Sequence, residues 1–400
     1  MTDTRLPPSR APRAPRATRC DRIAPFHVMS LVAQAEALGR AGKDVIHLGV
    51  GEPDFPSPPA VIEAGQRALA AGLTHYTPAA GLPALREAIA AFYQERFAVH
   101  VDPERIVLTP GASGALQLVL AALINPGDGV LVTDPGYPCN RHFVELVNGV
   151  PQPVRLDPAQ GWQLAPGQLA AAWQASTRAA LLASPDNPTG NVLSADTVSG
   201  LAAEVADRGG ALIMDEIYQG LVYDVPGFSA LSVAPEAWVI NSFSKYFGMT
   251  GWRLGWLVAP QDRVADIERM AQNFFLAPPT LAQHAALAAF LPETQTELER
   301  RRVVLDGRRR LLLSRLPSLG FRVVGAPQGA FYLYLDASAL TNDSFAFCQR
   351  LLAEAHVALT PGLDFGSAHG PQQFLRVAYT CDEARLDEAV ARMARFLGHL

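Results

Sequence analysis

Lysine is almost missing from this 400-residue chain. Of its 33 basic residues, only Lys43 and Lys245 are lysines and 31 are arginines. Any mechanism that needs a side-chain amine therefore has two candidates. Charge is sparse as well, at 18% of residues against the usual ~25%. The formal net charge of −5 leaves no electrostatic case for a nucleic-acid partner. The four cysteines, Cys20, Cys139, Cys348 and Cys381, are far apart and form no C-x-x-C pair. That excludes a zinc-ligand pattern and a disulfide framework, and points to a reducing, cytoplasmic setting. The nine histidines form no H-E-x-x-H spacing. No apolar run approaches the ~18 residues of a membrane span. The run from Leu118 to Ile124 is closed by Asn125-Pro126-Gly127-Asp128.

What is present is a chain 49% hydrophobic, long enough for two or three domains and a sizeable core. Residues 1–20 are rich in arginine and proline and lack an apolar segment, so they read as a disordered tail rather than a signal peptide. Helical runs are predicted at Pro59–Ala70 and Leu82–Phe97. Short apolar runs then recur at Arg105–Thr109, Val130–Thr133, Ala179–Ala183, Ala211–Met214 and Trp238–Asn241, each ending in polar, Gly or Pro residues. This pattern predicts an α/β fold with buried parallel strands. Ligands bind such sheets beyond the carboxyl ends of the strands. Loops carrying Ser113, Tyr137, Asn187, Asp215 and Lys245 are thereby expected to converge. After Leu291 a long Arg-rich helix, a strand pair around G-A-P-Q-G, a helix at Asp343–Ala355, a strand at Phe374–Tyr379 and a final helix suggest a smaller α+β domain. The expected division is a large domain over 61–291, with 21–60 and 292–400 forming the small one.

Lys245 lies among aromatic and glycine residues in S-F-S-K-Y-F-G-M-T-G-W-R-L-G, an unusual place for a solvated lysine. A desolvated lysine can lose its proton and attack a carbonyl, which arginine cannot do. Lys43, in A-G-K-D-V, fits a surface turn. Asp215 and Tyr218 follow the apolar strand A-L-I-M. A carboxylate there is either a cap or the partner of a protonated pyridine nitrogen. Asn187, in D-N-P-T-G, fits an ordinary turn. Gly111-Ala112-Ser113-Gly114 opens a helix whose N–H groups could take a phosphate, with Arg253 as counter-charge. Arg376, between apolar residues in F-L-R-V-A-Y, needs either a substrate carboxylate or a structural salt bridge.

Together these residues resemble the class I/II aminotransferases, the fold-type I enzymes dependent on pyridoxal 5'-phosphate. The resemblance runs from about Ile23 to the C-terminus. It rests on S-F-S-K-x-x-G-M-x-G-x-R-L-G, with G-E-P-D-F, Y-T-P-A-A-G, D-P-G-Y-P, N-P-T-G, D-E-I-Y and G-A-F-Y in order. It implies a mostly parallel seven-stranded-type sheet flanked by helices, and a homodimer with shared active sites. Lys245 would hold the cofactor as a Schiff base and shuttle the Cα proton. Asp215 would pair with the pyridinium nitrogen, Tyr218 and Asn187 with the phenolic oxygen, and Tyr137 would stack on the ring. Ala112, Ser113, Ser242, Ser244 and Arg253 would hold the phosphate, joined by Tyr76 from the neighbouring subunit. Gly51, Asn187 and Arg376 would hold the substrate carboxylate.

The activity implied is ping-pong transfer of an amino group from an L-α-amino acid to a 2-oxo acid such as 2-oxoglutarate or pyruvate. A C–S β-lyase or a non-catalytic cofactor-binding regulator could use the same fold. The segment Ala24–Met29 matches the substrate entrance of relatives. Its apolar Phe26, Val28 and Met29, with Tyr rather than Trp at 137, lean towards a neutral, aliphatic or aromatic donor rather than a dedicated aspartate enzyme.

Overall fold

A computed structural model describes residues 16–23 and 26–398. Most of the expected tail, residues 1–15, lies outside them. Arg19–Arg22 form one helical turn, held by the Arg16–Asp21 ion pair and by Arg19 donating to Asn148 Oδ1 at 3.1 Å.

The chain's first strand, β1 (Ile46–His47), follows the helix His27–Arg40. The next seven, β2 (Ile106–Thr109), β3 (Gly129–Asp134), β4 (Val150–Arg155), β5 (Thr177–Ala183), β6 (Ala211–Asp215), β7 (Trp238–Ser242) and β8 (Gly255–Val258), make one sheet. Their spatial order is β2-β8-β7-β6-β5-β3-β4. Only β8 runs against its neighbours. The strand expected at Arg105–Thr109 therefore has no parallel partner, although it points the same way as β7. Two strands were not legible in the sequence. β4 holds two prolines, which cannot donate to a ladder and are tolerated because it is an edge strand. β8 is the continuation of the lysine signature itself.

Alternate residues of each strand feed two cores. Leu212 and Met214, Ala180 and Leu182, Val239 and Trp256 face one side, while Ile213, Ala179 and Leu181, Ile240 and Leu257 face the other. Helices Pro83–Phe97 and Gly111–Leu123 cover the sheet, and Pro59–Ala70 packs on the helix Thr280–Ala286. The Arg-rich helix runs Pro292–Arg315, with a proline in its first turn, where the missing N–H costs no intrahelical bond.

The remaining strands are β9 (Arg322–Val323), β10 (Tyr332–Asp336), β11 (Val357–Ala358), β12 (Thr360–Pro361) and β13 (Phe374–Ala378). Four of them form an antiparallel sheet in the order β12-β13-β10-β9, and β11 pairs in parallel with β1. That pairing joins the N-terminal segment to the C-terminal part of the chain. No helix of the described residues is long and apolar enough to cross a membrane.

Candidate active site

The carboxyl ends of β2, β3, β5, β6 and β7 open on one cavity of about 250 Å³, which Ser113, Tyr137, Asn187, Asp215 and Lys245 all line. The five loops singled out in the sequence thus converge. Lys245 follows β7 in a turn fixed by packed aromatic rings. Phe243 meets Phe247 and Trp256 with centroids 5.0 Å apart in both pairs. Lys245 Nζ donates to Gly51 O at 2.7 Å and lies near the Tyr218 and Phe331 rings. Burial, joined by the nearby Arg376 and Arg253 charges and opposed by Glu52 and Asp215, lowers its pKa to about 8. A fraction of the amine is therefore unprotonated near neutral pH. Lys43 is exposed in the turn before β1.

Gly51 is held in place from behind. Asp54 takes a two-pronged bond from Arg308 at 2.7 and 2.9 Å, and Phe55 lies between the Arg301 and Arg308 guanidiniums. Ser57 accepts from Trp252 Nε1 and donates to Gly248 O, both at 2.9 Å. Two of the 31 arginines, Arg301 and Arg308, thus position the segment that faces Lys245.

Asp215 ends β6 and is buried. Its Oδ1 accepts from Ile217 N at 3.0 Å. Desolvation raises its pKa to about 6, helped by the Asp186 charge against the opposing Ile217 bond and Lys245. Such a carboxylate gains most from a cationic partner inside the cavity. Glu216 points away from the cavity into the core. It accepts from Ala230 N and Ser229 Oγ, and burial raises its pKa to about 8. Tyr218 Oη lies 2.9 Å from Tyr332 Oη, and burial holds its pKa well above the usual phenol value.

Arg376, on β13, is 7% exposed. It donates to Asn187 Oδ1 at 2.8 Å and to Gly49 O at 2.6 Å, and its Nε has no partner. Its guanidinium lies 4.2 Å from the Tyr332 ring centroid and 4.8 Å from that of Phe365. No carboxylate pairs with it among the described residues. The structural salt bridge considered from the sequence is absent, which leaves a rigidly held cation facing the cavity.

Ala112 and Ser113 line the cavity at the start of helix Gly111–Leu123. Gly111 has φ +69°, and a Cβ there would lie 2.8 Å from Arg253 Nη2. The glycine thus lets the guanidinium reach the helix N-terminus. Arg253 itself is left-handed, at φ +53°. Ser242 Oγ bonds Ser244 Oγ at 2.9 Å beneath them. Ser242, Ser244 and Arg253 sit beside the cavity rather than in its wall. Tyr76 is 80% exposed and does not reach it within one chain. Tested against a phosphorylated pyridine aldehyde, the donor set fits: an amine of lowered proton affinity, a buried carboxylate lacking a cation, and a helix N-terminus beside an arginine.

Some cavity residues escaped the sequence reading. Gly49, Thr360, Asp364 and Phe365 all line it, and Tyr332 was noted only as part of G-A-F-Y. Asp364 accepts from His27 N at 2.8 Å, Val28 N at 2.9 Å and His27 Nδ1 at 2.8 Å, and so caps helix His27–Arg40. That cap brings Phe26, Val28, Met29 and Val32 to the cavity mouth. Ala24 and Pro25 of the expected entrance lie outside the described residues.

Comparison with known proteins places these features in a family. A family profile described as aminotransferase class I and II matches residues 43–393. The chain is 37% identical to the valine–pyruvate aminotransferase of Mycobacterium tuberculosis, over 94% of this chain and 97% of that one. It is 36% identical to the aspartate/prephenate aminotransferase of Thermus thermophilus, over 95% and 98%. Its fold matches the crystal structure of an aminotransferase from Mycobacterium tuberculosis with a TM-score of 0.93 and 36% identity, covering 97% of this chain and all of that one.

Proposed function

We propose, from the premise that the chain belongs to the class I and II aminotransferases and is a transaminase dependent on pyridoxal 5'-phosphate, that its amino donors are neutral L-amino acids with aliphatic or aromatic side chains, and that it prefers pyruvate to 2-oxoglutarate as acceptor. The lining of the cavity carries this reading. Phe26, Val28, Met29, Val32, Leu116 and Ile217 form its apolar part, and Arg376 is the only guanidinium among the lining residues. One carboxylate can be matched there. A second would lie on apolar surface or near Asp364, at the cost of an unpaired buried charge.

The cofactor supplies an electron sink that makes the Cα proton of a bound amino acid removable. Lys245 is the attachment point and the group that moves that proton, since its lowered pKa suits a base near neutral pH. Asp215 would keep a proton on the pyridine nitrogen, Asn187 and Tyr218 would bond the phenolic oxygen, and Tyr137 would pack against the ring. Ala112, Ser113, Ser242, Ser244 and Arg253 would hold the phosphate. Arg376, with Asn187 and Gly51, fixes the substrate carboxylate so that Cα faces Lys245.

Residues 61–291 act as the large domain, and 21–60 with 292–400 as the small one. A second copy completes the site. Tyr76, Leu69, Leu73, Phe274 and Leu276 are exposed, and Thr280 bonds His75 O at 2.9 Å, so these two apolar stretches lie side by side. The four unpaired cysteines suit a cytoplasmic setting.

The test is a panel of twenty donors against pyruvate and 2-oxoglutarate. Valine-like or phenylalanine-like donors should exceed aspartate at least about tenfold in kcat/KM. A preference for aspartate would overturn the substrate reading, and ammonia release without a new amino acid would show elimination. Gel filtration should give a dimer.

A further inference from the structure

Gln283, in the helix Thr280–Ala286, is fully buried. Its carboxamide reaches outside that helix. Oε1 accepts from Leu82 N at 2.8 Å, and Nε2 donates to Thr77 Oγ1 and to Pro278 O, both at 3.0 Å. One buried side chain thus ties the segment 77–82 at both ends to the stretch before its own helix. Thr280 adds a bond to His75 O at 2.9 Å. On its other side the segment lies against β2. Leu108 N donates to Ala80 O at 3.0 Å. Gly81, at φ +94°, packs so closely that a Cβ would lie 2.3 Å from Leu108 Cδ1.

These contacts fix a loop, residues 71–82, that contains no helix or strand. Ordering such a loop costs about 1–2 kcal/mol of backbone entropy per residue. Burial of its aromatic ring does not offset that cost within one chain, because Tyr76 stays exposed beside the half-buried Thr77. A buried amide is unfavourable unless it is hydrogen-bonded. Here two of its three bonds hold the loop that presents an exposed tyrosine. A contact ordered before its partner arrives binds more tightly, since less freedom is lost on association.

We propose that Gln283 is a positioning residue for the cofactor site of a second copy of this chain, holding the loop 71–82 in the conformation from which Tyr76 reaches that site. The proposal rests on the reading that a second copy completes the cavity. Gln283 does not line the cavity of its own chain. Its effect on cofactor binding therefore crosses the interface: a change at Gln283 in one chain is felt in the cavity of the other.

The test uses hybrid dimers of two differently tagged chains, one of which carries Lys245→Ala. That chain cannot link the cofactor, so each hybrid has one linking site. Its absorbance, titrated with pyridoxal 5'-phosphate, gives the Kd of that site. In the first hybrid Gln283→Leu is placed on the Lys245→Ala chain. In the second it is placed on the chain that keeps Lys245. Relative to the hybrid with Gln283 in both chains, the first should bind cofactor at least about tenfold more weakly, the scale of a loop that must order on binding. The second should stay within about twofold. Thr77→Val removes the hydroxyl that Gln283 holds, should show the same asymmetry, and decides if Gln283→Leu fails to fold. Weakening in the second hybrid, or none in the first, would overturn the proposal. Tyr76→Phe in the same two arrangements separates the readings. Asymmetry for Tyr76 without asymmetry for Gln283 sinks the Gln283 role alone, whereas no asymmetry for Tyr76 sinks the shared site and this proposal with it.

Discussion

Arg376→Ala is the substitution whose cost can be worked out most directly. In the free protein the guanidinium makes two short bonds, to Asn187 Oδ1 and Gly49 O, and keeps Nε unpaired. Its removal does limited structural harm, because Gly49 O retains the Thr360 hydroxyl at 2.9 Å. The larger loss falls on the bound substrate, whose carboxylate would sit in a closed cavity without a counter-charge. Truncating one partner of a buried, hydrogen-bonded charge pair costs about 2–5 kcal/mol. At 1.36 kcal/mol per tenfold this is roughly 30- to 5,000-fold in kcat/KM. The assay is steady-state kcat/KM for a neutral donor, with cofactor content read by absorbance and the fold checked by thermal melting. Arg376→Lys should fall between wild type and alanine, since lysine restores a point charge but not the planar fork. A kcat/KM within twofold of wild type, with cofactor fully bound, would refute the carboxylate role and leave Arg376 as a structural cation.

Other outcomes follow from the same cavity. Lys245→Ala should abolish the borohydride-trapped cofactor adduct and turnover, whereas Lys43→Ala should leave both intact; an adduct surviving in the Lys245 variant would sink the assignment. Gly51→Ala places a Cβ on the Tyr332 hydroxyl, which is fully buried and bonded to Tyr218. Overpacking of this kind destabilises the fold by about 1–3 kcal/mol, so the variant should unfold earlier in thermal and denaturant melts, and an unchanged melt would show that the two tyrosines are not held as described. Glu216, raised from 4.5 to about 8, retains a proton in the folded state that the unfolded chain releases. Stability of the cofactor-free protein should thus fall as pH rises from about 4.5 to 8, by up to about 1.4 kcal/mol per pH unit from this group. Asp186 and Asp215, both raised to about 6 by burial, add to the fall at the lower end. Glu216→Gln should flatten the slope in pH-dependent melts, and an equal slope in both proteins would refute the assignment.

The sequence was most readable where one short segment carries both strand and chemistry. The runs leading to Asp215 and Lys245 are such segments, because an unbroken apolar run and the polar residues that stop it are neighbours in the chain. It was least readable where the structure joins distant segments. Asp364 caps a helix that begins 337 residues earlier, and nothing local to T-P-G-L-D-F-G marks it as a cap. The direction of β8 was hidden because Gly255–Val258 is as apolar as the parallel strands of the same sheet. Arg376 was ambiguous since every residue of β13 is buried, which erases the alternation that would show its face. Tyr76 was placed by resemblance alone, and a single chain leaves it at the surface.

Lys43 and Lys245 differ in exposure as much as in surroundings, and this has a practical consequence. An amine-selective label applied to the cofactor-loaded enzyme finds one accessible lysine, in the turn before β1, on the segment that pairs with β11. The chain thus carries a single exposed lysine, distinguishable from the chain's α-amine by labelling pH, for surface attachment or a fluorophore, with no engineered residue. A reporter there lies on the part of the molecule that bears Arg376, and its distance from a second dye on the large sheet would measure how that part sits over the cavity in solution.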